Sequence, residues 1–248
     1  MAQTLYHEWF VKFRFPGHEH TKMVDSELGL IPEGWEVKKL GNYIKTQKGF
    51  AFKSQWYQDS GVPLVKVSNF TEDSINTQNL ICISEEIAQQ YKKHKLDSND
   101  IIIQTVGSWA SNPKSVVGKV IRVPRQAQKS LLNQNAVKLI PEIPLNETFL
   151  YYLLKRNDFK NYIIGCAQGA ASQASITLDS IREFKFLLPS IELLNSFYNL
   201  TYPIWELVNN LSIKNISLSQ TRDLLLPKLI SGEIDVEHLE ITTEDIAA

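Results

Sequence analysis

The sequence has little cysteine and no long apolar run, and each shortage excludes a class of protein. Its two cysteines, Cys82 and Cys166, stand in no CxxC or Cys/His spacing, so neither a zinc site nor a disulfide framework is predicted. The longest apolar stretches, such as residues 80–83 and 224–226, are far shorter than a membrane span. With no export signal either, the chain is expected to be cytoplasmic, with reduced thiols and no membrane partner.

The motifs of phosphate and cofactor binding are also absent. Neither GxGxxG nor GxxxxGK[ST] occurs, so no phosphate cradle is predicted. Asp179, Glu183 and Lys185 suggest a nuclease cluster only faintly, because the first carboxylate is too close in sequence to come from a separate strand. His18 and His20 could share a metal, but they have no third ligand nearby and are expected to be exposed. No catalytic residue, metal or bound cofactor is therefore predicted.

Charge is divided unevenly along the chain, although the net charge is only −1. Residues 1–165 carry 21 lysines and arginines against 16 aspartates and glutamates, whereas residues 166–248 carry 5 against 11. The positive part can face nucleic-acid phosphates, and the negative part is not expected to do so. A positive excess this small is also ordinary for a surface that binds no charged ligand, so the charge distribution alone does not predict nucleic-acid binding.

Between residues 35 and 189, β-rich runs bounded by turns alternate with a few helical segments. Strands are predicted over residues 63–70, 100–106, 115–123 and 135–140. Ser84 and the acidic turn after it predict a helix over residues 84–93, and residues 146–164 predict a helix or a broken pair. Because βαβ regularity is absent, the predicted class is α+β, with one mixed α/β domain over residues 31–189.

The first residues, LYHEWFVKFRFPGHE, combine aromatic and charged side chains at helical spacing. Tyr6, Phe10 and Phe13 fall at i, i+4 and i+7, which predicts one face of a helix of about three turns. Such a short helix is not stable alone in water. Residues 1–30 are therefore expected to be a helix stub docked on a partner, followed by a connection without periodicity.

From residue 190 the apolar residues step by alternating threes and fours, which predicts a long coiled-coil-forming helix over residues 190–232. Its partner-facing residues are predicted to be Leu194, Phe197, Ile204, Val208, Leu211, Leu218 and Leu225. Packing on its own domain is the alternative, but about 60 Å of helix exceeds the width of such a domain. Pro203 predicts a kink or break. Gly232 is expected to end the helix before an acidic tail at residues 233–248.

Several polar loops carry lysines, amides and aromatic residues together. In KTQKGFAFKSQW, residues 45–56, lysines can neutralise phosphates, glutamines can read adenine edges and phenylalanines can touch a thymine methyl. The residues predicted to bind DNA are Lys45, Gln47, Lys48, Phe50, Phe52, Lys53, Ser54, Gln55, Ser108, Asn112, Lys114, Asn133, Gln134 and Asn135. Taken singly, each loop is more often an ordinary loop, and its aromatic residues are more often core.

Four motifs together resemble one family: LYHEWFVKFRFPGHE, IPEGWEVKKLG, KGFAFKS and TRDLLLPKLISGEIDV. They are similar to the specificity subunit of type I restriction–modification systems, and the resemblance runs through nearly the whole chain. Members of that family normally carry two DNA target-recognition domains, separated by long helices that space the domains and dock methyltransferase subunits. This chain is expected to be a half-length form, either a natural half or a fragment.

The resemblance implies a non-catalytic subunit that reads half of a split site in double-stranded DNA. It would direct a partner methyltransferase subunit, and a restriction subunit where the system has one, and S-adenosylmethionine is expected only on the methyltransferase. A two-fold homodimer through the long helix would restore two recognition domains. The alternative is an assembly remnant that pairs helices or binds the methyltransferase without specific DNA recognition. An autonomous methyltransferase or nuclease would need motifs that the chain lacks.

Overall fold

The computed structural model describes residues 1–109, 116–169 and 173–236. The chain divides into two compact units, Met1–Ile204 and a second that begins at Trp205. The helices in the described residues are α1 (Ala2–Phe10), α2 (Glu85–Gln90), α3 (Glu147–Leu154), α4 (Asn157–Gly165), α5 (Leu178–Arg182) and α6 (Ile191–Ile230). None of them is both long enough and apolar enough to cross a lipid bilayer.

The strands in the same residues are β1 (Met23–Ser26), β2 (Gly29–Pro32), β3 (Glu36–Lys39), β4 (Ile44–Lys48), β5 (Val62–Val65), β6 (Cys82–Ile83), β7 (Ile101–Gln104), β8 (Val106–Gly107), β9 (Val120–Arg122), β10 (Leu131–Leu132), β11 (Ala136–Pro141), β12 (Ala174–Ser175) and β13 (Lys185–Leu188). With the helices they make a mixed α+β domain. The predicted fold class, including a long C-terminal helix, is confirmed.

A four-stranded antiparallel sheet in the order β4-β11-β7-β9 lies at the centre of the first unit. Strand β7 begins with three consecutive isoleucines, as expected of a strand that is covered on both faces. Ile101 and Ile103 pack in the largest hydrophobic core, whereas Ile102 packs in a second core with Val65 and Leu132. Smaller pairings, β10-β5-β6, β13-β3 and β12-β8, surround this sheet.

The predicted segments agree with these elements except in three places, the first of which is the strand predicted over residues 115–123: residue 115 lies outside the described residues, Gly118 turns the chain with φ 82°, and the strand covers only Val120–Arg122. Helix α2 begins after Ser84, whose hydroxyl accepts a hydrogen bond from the Ile87 amide at 3.3 Å, and residues 146–164 form the broken pair α3 and α4. The strand predicted over residues 63–70 ends early, at Val65. The Asn69 side chain accepts from the Lys66 amide at 2.9 Å and turns the chain there. Residues 17–34 are not a plain connection, because they contain the β1-β2 hairpin.

The aromatic residues of α1 pack inside their own domain. The Phe10 ring lies 5.1 Å from Phe149 of α3 and 5.1 Å from Phe197 of α6, and the Tyr6 ring lies 5.5 Å from Phe149. The helix ends at Phe10, and Phe13 has a left-handed backbone (φ 60°). The prediction that this helix reaches Phe13 and docks on a partner is therefore wrong, because its own chain supplies the surface.

Helix α6 begins as part of the domain core. Leu194 and Phe197 are completely buried in that core, so their prediction as partner-facing residues is corrected. The helix runs unbroken through Pro203. Asn199, whose carbonyl loses its intrahelical donor there, is exposed and can bond to water instead. Gly232 follows the helix in a left-handed conformation (φ 73°), which agrees with its prediction as the residue that ends the helix.

Candidate DNA-binding groove

The four strands of the central sheet all have one terminus at the same end of the sheet, which is called the sheet edge below. β4 ends at Lys48 and β7 ends at Gln104, while β11 begins at Ala136 and β9 begins at Val120. Because neighbouring strands are antiparallel, the end of one lies beside the start of the next. Loops that are far apart in sequence, at residues 49–53, 105–109 and 133–135, therefore meet at this edge. Each of them was predicted to contribute to DNA binding.

The chain after Lys48 lies directly on the 132–136 segment. The Gly49 amide donates to the Ala136 carbonyl at 3.0 Å, and the Gln134 amide donates to the Phe50 carbonyl at 2.9 Å. A Cβ at Gly49 would lie 1.9 Å from the Asn133 carbonyl oxygen. Only glycine allows this close approach of the two backbones, and the approach places Lys48 beside Gln134.

A groove of about 630 Å³ opens at this edge. Its polar and charged lining residues are Lys48, Thr105, Gln134, Asn135, Thr177, Asp179 and Arg182. Lysine and arginine can contact phosphates or guanine, and glutamine and asparagine can pair with an adenine edge. Aspartate can accept from the cytosine amino group. The groove therefore combines phosphate-binding and base-reading side chains in one place.

Backbone hydrogen bonds fix the far wall of the groove. Asn135 has a left-handed backbone (φ 71°), which asparagine tolerates better than most residues. Its carbonyl accepts from the Thr105 amide at 2.8 Å and from the Val106 amide at 3.3 Å. The Thr105 carbonyl in turn accepts from the Ile176 amide at 2.9 Å. These bonds hold the 105–106, 133–135 and 176–177 segments side by side.

Arg182, at the end of α5, supplies the second cation of the groove. Its guanidinium donates to the Thr46 hydroxyl at 3.0 Å and lies 3.7 Å from the Asp179 carboxylate. Both contacts are partly exposed, so the guanidinium can exchange them for a phosphate or a base at small cost. Lys48 is exposed, and no carboxylate among the described residues lies within ion-pair distance of its amine.

An aromatic cluster supports the loop after Lys48 from beneath. The Phe50 ring lies 4.3 Å from Tyr91 and 5.1 Å from Phe52, and Trp56 lies 5.8 Å from Tyr91. The amine of Lys53 lies 5.4 Å from the centre of the Trp56 ring, a cation–π contact. The phenylalanines of KGFAFKS thus anchor the loop.

His94 ties this cluster to the groove. Its Nδ1 donates to the Lys48 carbonyl oxygen at 2.9 Å, and its ring lies 5.5 Å from Phe50. Burial lowers the pKa of His94 below its ordinary 6.5, an effect that the Lys48 carbonyl opposes and the charge of Lys93 reinforces. His94 is therefore neutral near pH 7, and it positions the backbone of Lys48.

Comparison with known proteins identifies the family. A family model described as "Type I restriction modification DNA specificity domain" matches residues 32–193. The chain belongs to this family. The MjaIX specificity subunit of Methanocaldococcus jannaschii is 27% identical over 246 residues, which cover 96% of this chain and 53% of that subunit. The HindI specificity subunit of Haemophilus influenzae is 27% identical over 207 residues, which cover 82% and 42%.

Solved structures related to type I restriction–modification systems share the fold. The S subunit from M. genitalium superposes with a TM-score of 0.52 at 19% identity, over 80% of this chain and 46% of that one. A chain from a study of type I complex assembly and conformational transition gives 0.51 at 17% identity, over 92% and 50%. The chain thus spans about half the length of the curated relatives and solved structures that it matches.

The fourteen predicted DNA-binding residues of this specificity domain differ in where the structure places them. Lys48, Gln134 and Asn135 line the groove. Four further residues are exposed but do not line the groove: Lys45, Lys53, Ser54 and Gln55. Three are partly buried, namely Gln47, Phe50 and Ser108, the last of which lies beside Val116. Lys45 pairs with Glu142 at 2.5 Å. Asn112 and Lys114 lie outside the described residues.

Two of the predicted contacts are corrected because their side chains are buried. Phe52 packs in a hydrophobic core with Leu64 and Leu131. Asn133 is buried, and its side-chain oxygen accepts from the Gln134 amide at 2.6 Å. Both residues shape the loops and cannot touch a base from these positions.

Sequence reasoning missed Thr177 and Arg182 and placed Asp179 in a different site. The faint nuclease cluster is not assembled, because Glu183 pairs with Lys39 at 2.6 Å and Lys185 pairs with Glu27. Across residues 1–109, 116–169 and 173–236, no three His, Cys, Asp or Glu side chains are placed to hold a metal ion. No local sequence pattern pointed to Arg182, because its place in the groove depends on a contact with Thr46, 136 residues away.

The second unit of this specificity-family chain carries the rest of the predicted partner helix. Val208, Leu211, Leu218 and Leu225 are 48%, 49%, 66% and 42% exposed. Ile204, at the end of the first unit, is half-buried. The partner-facing prediction therefore narrows to the four exposed residues of the second unit, which repeat at heptad spacing.

Proposed function

We propose that this chain is a non-catalytic DNA-specificity unit that reads one half-site of double-stranded DNA through the groove at Lys48. The observation that carries the proposal is the meeting of Lys48, Gln134, Asn135 and Arg182 at one edge of the sheet. Lys48 and Arg182 would contact phosphates and set the register, while the amides would read bases. The family of the chain and the names of its relatives support this role.

Within a restriction–modification complex, the unit would direct a methyltransferase subunit, and a restriction subunit where one is present. The chemistry and S-adenosylmethionine would belong to the methyltransferase. The chain would supply sequence recognition only. An assembly remnant would bind the methyltransferase equally well but would show no preference among DNA sequences.

A two-fold homodimer would supply the second half-site. A stripe of large apolar side chains at heptad spacing is rarely left in water by a monomer, and a second copy of α6 offers the matching stripe. The pair would be isologous, so two identical groove-bearing domains would read an interrupted palindrome. Leu218→Asp should convert a dimer to a monomer in sedimentation at tens of micromolar. Gln220→Asp, on the opposite face, is the matched control and should remain dimeric.

DNA binding is tested by the salt dependence of affinity. Lys48→Gln should weaken binding to all duplexes and reduce the slope of log K against log salt concentration by about one, because one phosphate contact is lost. Lys129→Gln is the control, since Lys129 is exposed and does not line the groove. A Lys48→Gln slope equal to that of the parent chain would contradict this groove as the DNA site.

A further inference from the structure

A second basic cleft lies beside the groove, at the β9 side of the same sheet edge. It has a volume of about 780 Å³, with Phe70, Val117 and Leu154 among its apolar lining residues. Its cations are Lys119, Lys155 and Lys160, and Glu72 is its one carboxylate. None of these residues lines the Lys48 groove, and none was singled out as a DNA contact from the sequence.

The close approach of two segments builds this cleft. Gly118 has a left-handed backbone (φ 82°), and a Cβ there would lie 2.6 Å from Cγ2 of Ile163 in α4. The Gly118 amide donates to the Gln104 carbonyl at 2.8 Å, and the Lys119 carbonyl accepts from the Gln104 amide at 2.9 Å. The turn is thus fixed to the end of β7 and pressed against α4, which brings Lys119 to the lysines of the α3–α4 region.

The charges in the cleft favour an anion. Lys155 pairs with the exposed Asp73 at 2.5 Å, and Glu72 is also nearby, so three amines face two carboxylates. Burial lowers the pKa of Lys119, the like charge of Lys155 lowers it further, and the carboxylates of Glu72 and Asp73 oppose this lowering only in part. An anion bound between these amines would relieve their mutual repulsion. The exposed Lys160 can reach such an anion without breaking an ion pair recorded in the described residues.

The spacing of the two sites matches a duplex. Lys48 ends β4 and Lys119 precedes β9, and the sheet order places three interstrand steps between them. Neighbouring strands lie about 4.8 Å apart, so the two backbones are separated by roughly 14 Å. The major groove of B-DNA is about 12 Å wide. The 105–109 segment follows β7, which lies between β4 and β9 in the sheet order.

We propose that Lys119 and Lys160 bind backbone phosphates of one DNA strand while Lys48 and Arg182 bind phosphates of the other, so that the two basic sites straddle the major groove. This inference rests on the proposed function, because it assigns the second phosphate-binding site of the same DNA-reading unit. It makes the cleft a positioning site, which fixes the register of the base-reading amides and carries no sequence preference of its own.

The first test is the double variant Lys119→Gln/Lys160→Gln in the full chain, with Lys129→Gln as the control. Salt titrations use a duplex enriched by selection and a random duplex. The double variant should lose about two units of slope, weaken both duplexes by the same factor and unfold at the temperature of the parent. A slope equal to that of the parent, or a weakening confined to the enriched duplex, would overturn the proposal.

A second test locates the contacts by strand. Methylphosphonate substitution removes the charge of single phosphates in the enriched duplex. The double variant should become insensitive to substitutions on one strand, and Lys48→Gln should become insensitive to those on the other strand of the same groove. If both variants become insensitive to methylphosphonates on the same strand, the two basic sites do not straddle the groove and the proposal is overturned.

Inorganic phosphate distinguishes a DNA site from a site for a free anion. At constant ionic strength, millimolar phosphate should displace DNA no better than chloride does. Displacement that is specific to phosphate and is lost in the double variant would make the cleft a small-anion site and overturn the proposal. If the parent chain binds no duplex, the proposed function fails as well. If Lys48→Gln weakens DNA binding and the double variant does not, this inference alone fails.

Discussion

The His94 imidazole donates a hydrogen bond from Nδ1 to the Lys48 carbonyl oxygen, 46 residues earlier in the chain, at 2.9 Å. Through this bond, a ring buried against Phe50 and Tyr91 holds the backbone of a groove-lining lysine. The ring's Nε2 is buried without a hydrogen-bond partner in the described structure. A neutral imidazole tolerates that position, whereas an imidazolium would leave a buried N–H unsatisfied.

Gly49→Ala should disrupt the groove, because the new methyl group would lie 1.9 Å from the Asn133 carbonyl oxygen. The two loops would have to separate, and DNA affinity should fall at least tenfold with a loss of stability of about 1–3 kcal/mol. Gly165→Ala is the matched control, since nothing lies within 4 Å of its Cβ position. Fluorescence anisotropy and chemical denaturation measure the two effects. Equal behaviour of the two alanine variants would contradict the close approach at Gly49.

Stability should depend on pH through His94. Burial lowers its folded-state pKa, so the unfolded chain takes up this proton at higher pH than the folded one. The stabilisation is complete above the unfolded pKa of about 6.5 and is lost as the pH falls through the folded pKa. Between pH 7 and pH 5, the free energy of unfolding of the parent should fall more steeply than that of His94→Gln. Parallel curves would show that His94 is not the buried neutral group described here.

The two parts of α6 should respond differently to truncation. Phe197→Ala removes a fully buried ring from the core that also contains Tyr6 and Phe10, and it should cost about 3–5 kcal/mol. Leu218→Ala, at a side chain that is 66% exposed, should change the stability of the monomer by less than about 0.5 kcal/mol. Denaturation at concentrations where both variants are monomeric separates these effects. A large cost at Leu218 in the monomer would mean that it packs within its own chain.

Local sequence signals gave much of the fold. Ser84 and Asn146 cap the helices that follow them, and the run of isoleucines at residues 101–103 marks the strand with two covered faces. The β1-β2 hairpin was missed for a physical reason. Residues 23–26 are exposed or only partly buried, so the apolar alternation that signals a half-buried strand is absent.

The composition of the candidate site could be predicted only in part. Lys48, Gln134 and Asn135 stand in loops whose residue types indicate nucleic-acid contact, but their meeting depends on the register of β4 and β11. Arg182 lies 136 residues from its partner Thr46, a distance that no local pattern spans. The role of Phe50 was open in the sequence because Tyr91, which packs on it, is 41 residues away.

The most direct test is selection of bound sites from a random duplex pool, with a partner methyltransferase subunit present. The parent chain should enrich an interrupted palindrome. Gln134→Ala should relax one position in each half-site by about 1–3 kcal/mol of discrimination, whereas Gln55→Ala, which is exposed but does not line the groove, should leave the selected site unchanged. No enrichment by the parent, or a change with Gln55→Ala and none with Gln134→Ala, would contradict sequence reading through this groove.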